Sequence, residues 1–290
     1  CMDDETVGIA LVVPSAVGFG TLGIFGVIAA EEELSIPTVL ALRFVLASVI
    51  IWPILWSRGR LQIPSRRIVA IAFALGAGGD ATQSALYFYG LEFMTAGMVA
   101  IVLYTYPAFV VVLTAIVHPD RVTPPLIAAL ALSIGGVALI TGVDPTGVDP
   151  RGVVVVLGAA CAYSFYILVS QRALTTVPAE TLTTFVLPAA ALSFLVFGAG
   201  TGSLTIPATP TAWGAVLGIA ILATVVPVLT FFAGIAKIGA SRASVISTAE
   251  PGVTVGLGAV VLGEPVSVVT VVGGTLVVAS VLFIQREETV

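Results

Sequence analysis

The feature that most constrains this chain is an alternation of apolar stretches, each about 20 residues long, with short polar breaks. A helix rises about 1.5 Å per residue, so a stretch of that length matches the hydrocarbon core of a bilayer. Ten segments are read, near 7–29, 37–56, 67–90, 96–117, 124–142, 153–173, 181–198, 212–235, 240–262 and 266–285. The breaks carry loop chemistry: Glu31-Glu32-Glu33, Ser57-Arg58-Gly59-Arg60, His118-Pro119-Asp120-Arg121 and Asp144-Pro145-Thr146-Gly147. Of the 290 residues only 9% are charged and 58% are hydrophobic, against about a quarter charged in a soluble domain. That excludes a soluble domain, a disordered chain and a basic nucleic-acid-binding module. The expected fold class is an all-α polytopic membrane protein with ten transmembrane helices, and its first partner is the lipid bilayer. The first segment, followed by nine more, is not expected to be a cleaved signal peptide.

Basic residues orient the spans, because cytoplasmic loops are enriched in Lys and Arg. With the N-terminus inside, the cytoplasmic side holds Arg58, Arg60, Arg66, Arg67, Arg121, Arg172, Lys237, Arg242 and Arg286, and the outside holds Arg151. The expected location is the cell membrane, multi-pass, with both termini cytoplasmic.

A constant offset of 144 residues superimposes the two halves. Gly8 falls on Gly152, Phe19 on Tyr163, Gly90 on Gly234, Ala96 on Ala240, Pro107 on Pro251 and Asp120 on Glu264. The halves, 7–142 and 153–285, each hold five spans. An odd number makes them insert with opposite topology, and inverted repeats around a midplane site are an architecture of secondary transporters.

The chain resembles EamA-type members of the drug/metabolite transporter superfamily. The resemblance rests on Arg43, Ala96-Gly97, Tyr106-Pro107 and Asp120 in the first half. In the second it rests on Gly239-Ala240-Ser241-Arg242-Ala243, Glu250-Pro251, Leu262-Gly263-Glu264-Pro265 and Gly273-Gly274. It departs where His118-Pro119-Asp120-Arg121 stands for the usual Gly-Glu-Arg. The resemblance implies two five-helix repeats and a central cavity formed by helices 1, 3, 4, 6, 8 and 9. It also implies a structural or gating role for Arg43, and it leaves the solute open.

Ionisable groups inside a span are costly unless paired or wetted. Asp80 lies mid-way along the third span, with Gln83, Ser84 and Tyr87 at helical spacing behind it. The stripe reads either as a helix–helix hydrogen-bond seam or as the wall of a solute path. Glu250 lies in the ninth span between Ser247 and Thr254. Pro251 removes an amide donor and frees a carbonyl one turn earlier. Glu250 reads either as a neutral acid bonded to a neighbouring helix or as a proton-coupling group, with Asp80 as the second candidate. Its repeat mate, Tyr106, makes the two halves chemically unequal. Arg43 has three readings: snorkelling outward, pairing with Asp80 or Glu250, or meeting an anionic group of the solute. Tyr104, Tyr106, Tyr163 and Tyr166 lie at mid-depth, away from the interfacial belt, and suit the wall of a cavity for a partly apolar solute. Trp52, Trp56 and Trp213 read as interface anchors, and Pro107 and Pro251 as structural or gating positions.

The expected function is secondary transport or export of a small metabolite, amino-acid-like or drug-like, by alternating access through a central cavity, with proton coupling left open. The alternatives are a passive facilitator and an intramembrane enzyme. His118, the one histidine, lies at a helix end, and Asp80 is the one aspartate within a span, so neither a serine–histidine nor a two-aspartate protease has its parts. No Gly-Lys-Ser/Thr follows the glycine runs. The two cysteines give no metal spacing, so no cofactor, metal or nucleic-acid partner is expected. The oligomeric state is left open.

Overall fold

The computed structural model describes residues 4–60, 63–117, 124–143 and 149–287. The loop motifs at 118–121 and 144–147, Asp120 among them, lie outside the described residues. Every element among those described is helical. Helices α1 (Asp4–Gly20) and α2 (Leu22–Glu31) form the first span, and α3 (Ile36–Ser57) the second. The third is α4 (Arg66–Ala74), a π-helical segment (Leu75–Asp80) and α5 (Ala81–Gly90). Helices α6 (Ala96–Leu103) and α7 (Tyr106–Val117) form the fourth. Helices α8 (Pro124–Val143), α9 (Pro150–Leu174) and α10 (Ala179–Thr201) are the fifth to seventh. The eighth is α11 (Pro210–Leu217), a second π segment (Gly218–Val225) and the start of α12 (Val226–Ser247). The remainder of α12, α13 (Glu250–Leu257) and a third π segment (Gly258–Leu262) make the ninth, and α14 (Val268–Glu287) the tenth. Five stretches suffice in length and apolarity to cross a membrane unaided: Glu5–Glu31, Ile36–Ser57, Pro150–Gln171, Ala179–Thr201 and Pro210–Ile238. Shorter apolar helices, such as Ala96–Val110 and Glu250–Leu262, extend the count.

One reading needs correction at its boundary. A loop was expected between 235 and 240, yet helical backbone runs on to Ser247. The chain nevertheless turns back there. Ile238 packs at Gly8 and Val253 at Gly20, so fifteen residues of α12 and α13 climb alongside the twelve residues of α1 that separate those glycines. The eighth span descends past the same helix, with Pro227 at Gly18 and Val12 at Gly234.

End contacts establish the alternation. Arg60 Nη1 donates to Glu180 Oε1 at 3.0 Å, joining the 2–3 and 6–7 connections. At the opposite end Ser35 Oγ donates to the Ser203 carbonyl at 2.6 Å, and Thr209 Oγ1 donates to the Glu32 carboxylate. Span 2 thus starts where its repeat mate, span 7, finishes: the two run antiparallel, which is what inverted halves require. Their faces meet through the stacked rings of Phe44 and Phe194, centroids 5.9 Å apart. Span 1 packs on span 8 and span 3 on span 6, while 2 with 7, 4 with 9 and 5 with 10 pair across the axis. Between helices in lipid, association depends on close packing of small residues. A Cβ on Gly90 would strike Val156, and one on Gly76 the Val186 carbonyl.

The interruptions obey the same offset. The first two π segments, Leu75–Asp80 and Gly218–Val225, overlap in that register, with Asp80 falling on Thr224. Helices α6 and α7 part at Tyr104-Thr105, and α12 and α13 at Thr248-Ala249. Each of these breaks stands just ahead of a proline, Pro107 or Pro251.

Candidate functional site

Proline explains the broken spans. Without an amide hydrogen, Pro251 leaves the Ser247 carbonyl, four residues back, without its helical donor. The Tyr104 hydroxyl fills the gap, donating to that carbonyl at 2.8 Å. The fourth span therefore satisfies the defect in the ninth, as unwound backbone at membrane depth requires. Glu250 opens α13 beside this junction. Thr254 Oγ1 donates to the Gly20 carbonyl at 2.9 Å, bringing the break in the first span to the same place. The Ser247 hydroxyl is buried with no partner among the described residues.

Four tyrosine rings run from this junction towards Asp80. Tyr104 and Tyr106 meet edge to face at 5.9 Å, and Tyr106 and Tyr163 at 4.8 Å. Tyr163 and Tyr166 lie nearly parallel at 6.0 Å. Ser164 Oγ donates to the Tyr106 carbonyl at 2.8 Å, holding span 6 against span 4. Tyr166 packs on Gly79, the residue before Asp80. Asp80, Gln83, Tyr106, Tyr163, Tyr166 and Glu250 are all half-buried although they lie between packed spans. They lie where spans 3, 4, 6 and 9 meet. Tyr104 and Tyr87 are buried, and the Tyr87 hydroxyl is turned to Gly23 on the first span.

The polar stripe in the third span is less knit than its spacing suggests. Ser84 Oγ donates to Gln83 Oε1 at 3.4 Å, while the Asp80 carboxylate accepts no hydrogen bond from the described residues. Arg43 does not form an ion pair with it, since no nitrogen comes within 4 Å of its carboxylate, although the two charges interact at longer range. Instead Arg43 Nε donates to Thr224 Oγ1 at 3.1 Å, and its guanidinium carbon lies 4.8 Å from the Phe44 ring centroid. Thr224 in turn donates to the Ile219 carbonyl, five residues back, at 2.9 Å. The expected Asp80 or Glu250 partner is replaced by the hydroxyl at the repeat position of Asp80. Nothing in the local sequence announced Thr224; the 144-residue offset was the signal that could have found it.

Two further features lie towards one end. Glu264 accepts from the Ala96 amide at 2.6 Å and from the Gly97 amide at 3.2 Å. It thereby satisfies free amides at the start of α6, where a carboxylate also complements the helix dipole. A cleft of about 360 Å³ is bordered by Glu33, Ser35, Phe88 and Glu92. Glu33 there has φ 58°. Among the described residues no group of three His, Cys, Asp or Glu side chains is placed to hold a metal. Trp52 donates to the Thr184 carbonyl at 3.0 Å, which gives it a bond to span 7 besides its expected interfacial position.

The profile of the EamA-like transporter family matches residues 6–142 and again 150–286. An Archaeoglobus fulgidus protein described as an uncharacterized transporter is 25% identical over 220 residues, 74% of this chain and 77% of its own length. Bacillus subtilis YcbK, likewise an uncharacterized transporter, is 30% identical over 199 residues, 65% of this chain and 63% of its own. YyaM of the same organism is 26% identical over 251 residues, 83% and 82% of the two chains. One crystal structure superposes with a TM-score of 0.66 over 96% of both chains at 21% identity, a likeness of fold alone. Ten spans in two inverted halves, one family profile met once in each half, and relatives that are transporters by name lead to one conclusion: this chain belongs to the EamA-like transporter family and is a membrane transporter.

Proposed function

We propose that the protein is a secondary transporter that moves a small solute by alternating access where spans 3, 4, 6 and 9 meet. The observation that carries this reading is the crossing of two proline-broken spans, with Glu250 at the junction and Tyr104 closing the backbone defect. Interrupted helices leave polar backbone at membrane depth, and a solute site gives that polarity a use. The halves 7–142 and 153–285 move against one another. Asp80, Gln83, Tyr87, Tyr104, Tyr106, Tyr163, Tyr166 and Glu250 supply the solute contacts, and Arg43, Pro107 and Pro251 position them. Glu250 carries the coupled proton ahead of Asp80, because its carboxylate adjoins the break, where a change of charge alters helix shape. The chain lies in the cell membrane with both termini cytoplasmic.

The test is uptake into proteoliposomes enclosing a pH-sensitive dye, with and without an imposed pH gradient. Wild-type protein accumulates its solute against a gradient and moves protons with it. Glu250→Gln keeps the shape of the side chain and removes its titration. This variant loses accumulation and retains downhill flux. Accumulation unchanged in Glu250→Gln overturns the coupling role, and wild-type flux indifferent to pH identifies a passive facilitator.

A further inference from the structure

We propose that the connection between spans 2 and 3 is a docking surface for an anionic phospholipid. Arg66 and Arg67 hold the lipid phosphate, and Trp56 lies against the upper part of the acyl chains. This surface lies at the ends of the spans, apart from the proposed solute path, and stands whether or not that path is right.

The surface is basic and largely uncompensated. Arg58, Arg60, Arg66 and Arg67 are close in sequence and all exposed. Of these only Arg60 meets an acid among the described residues, its Nη1 lying 3.0 Å from Glu180 Oε1. That pair fixes the connection to the start of α10, and α3 and α4 both pack on α10. The bases at the end of one helix and the start of the other therefore flank the same helix. At the start of α4 the imbalance is local. Ser65 makes no side-chain bond to the first amides, and no acid lies in the first turn, where Arg66 and Arg67 stand instead. Ser35, Thr95 and Thr209, by contrast, each cap their own helix with a side-chain oxygen. Bases at a helix start oppose its dipole. A phosphate there would accept from the uncapped amides and pair with both guanidinium groups.

The apolar residues beside these bases say where the phosphate comes from. Trp56 is 77% exposed and Ile63 87%, and they bracket Arg58 and Arg60 in the chain. Trp56 has no hydrogen bond among the described residues, whereas Trp52, one turn earlier, donates to the Thr184 carbonyl. Tryptophans with one apolar side and one free N–H settle at the headgroup level of a bilayer. Arginines clustered at that level meet lipid phosphates, and each strengthens attachment to an anionic leaflet. A soluble acidic protein would satisfy the arginines and leave Trp56 and Ile63 without an apolar partner.

The experiment reads tryptophan fluorescence from the purified full chain carrying Trp213→Phe, so that emission comes from Trp52 and Trp56 at this end. The chain is reconstituted in phosphatidylcholine bilayers containing a minor fraction of lipid with brominated chains, which quench a tryptophan they touch. Brominated phosphatidylglycerol quenches more than brominated phosphatidylcholine at the same fraction. The double variant Arg66→Gln/Arg67→Gln lowers the relative affinity for phosphatidylglycerol about 25-fold, a factor of about five for each arginine. Arg66→Lys/Arg67→Lys keeps it within about threefold, since lysine retains the charge. Arg151→Gln, which removes a base from the opposite end, leaves it unchanged. Equal quenching by the two brominated lipids overturns the proposal, as does an excess that persists in the glutamine variant. Equal loss in the glutamine and lysine variants also overturns it, because it marks a structural effect rather than a charge. Inorganic phosphate or polyglutamate that erases the excess at constant ionic strength assigns the surface to a soluble anion and removes the lipid.

Discussion

At the scale of single residues, Tyr104 and Pro251 make one unit out of two spans. Tyr104→Phe removes the hydroxyl that donates to the Ser247 carbonyl. A buried carbonyl left without a donor costs about 1–3 kcal/mol, read as a lower unfolding midpoint in detergent. Pro251→Ala returns an amide hydrogen able to reach that carbonyl. In the Tyr104→Phe background it recovers much of the loss, so the two changes are strongly non-additive. Additive losses would mean that the hydroxyl does not serve the proline's defect. Gly258 is another position decided by a close neighbour: a Cβ there would overlap the Glu264 carboxylate that caps α6. Gly258→Ala costs about 1–3 kcal/mol by overpacking. Midpoints for Gly258→Ala and Glu264→Ala measure it, and the double variant loses less than their sum because the colliding group is gone. The proline positions were legible because proline acts on its own backbone. The acceptor of Tyr104 was not, since a carbonyl has no residue identity and lies 143 positions away.

At the scale of elements, the π segments set what faces the proposed solute path. A π turn holds an extra residue and shifts the phase of all that follows. In the third span the shift ends at Asp80; in the eighth it encloses Thr224, whose hydroxyl bonds five residues back and receives Arg43. Thr224→Val abolishes both bonds and costs about 1–3 kcal/mol, much of it from the arginine left unpaired in a poorly solvated place. Thr224→Ser keeps both and stays near wild type. A valine variant as stable as the serine variant would sink this account of the segment. Helix existence was readable from the apolar runs, and the stripe behind Asp80 from its spacing. The widened turns were not, because Gly76 to Gly79 permit a π turn without requiring one, and what fixes it is the close approach of span 7 at Gly76. The Arg43 partner was hidden for a related reason, as 181 residues separate it from Thr224.

At the scale of the molecule, the two ends are chemically distinct: Arg60 and Glu180 mark one, Glu32, Thr209 and Glu264 the other. In the proposed orientation the first end, with its excess of basic residues, faces the cytoplasm. In a cysteine-free background, Thr209→Cys on intact cells reacts with a membrane-impermeant maleimide. Arg60→Cys reacts only after permeabilisation. The opposite pattern would invert the orientation. The repeat offset made the inverted architecture readable at this scale, since an odd number of spans per half leaves no other arrangement.

The pairing of spans across the axis bears on how the chain is made. Spans 1 and 8 pack together, as do 3 and 6, and three more spans meet their own repeat mates, so neither half encloses a core of its own. A ribosome delivers the first half to the bilayer before the second exists. During that interval the face carrying Asp80 meets lipid or the insertion machinery, and the amides at the start of α6 await a carboxylate from near the end of the chain. Assembly is consequently a late event in biosynthesis. Two fragments divided between the halves, produced in the same cell, would each need the other to escape degradation.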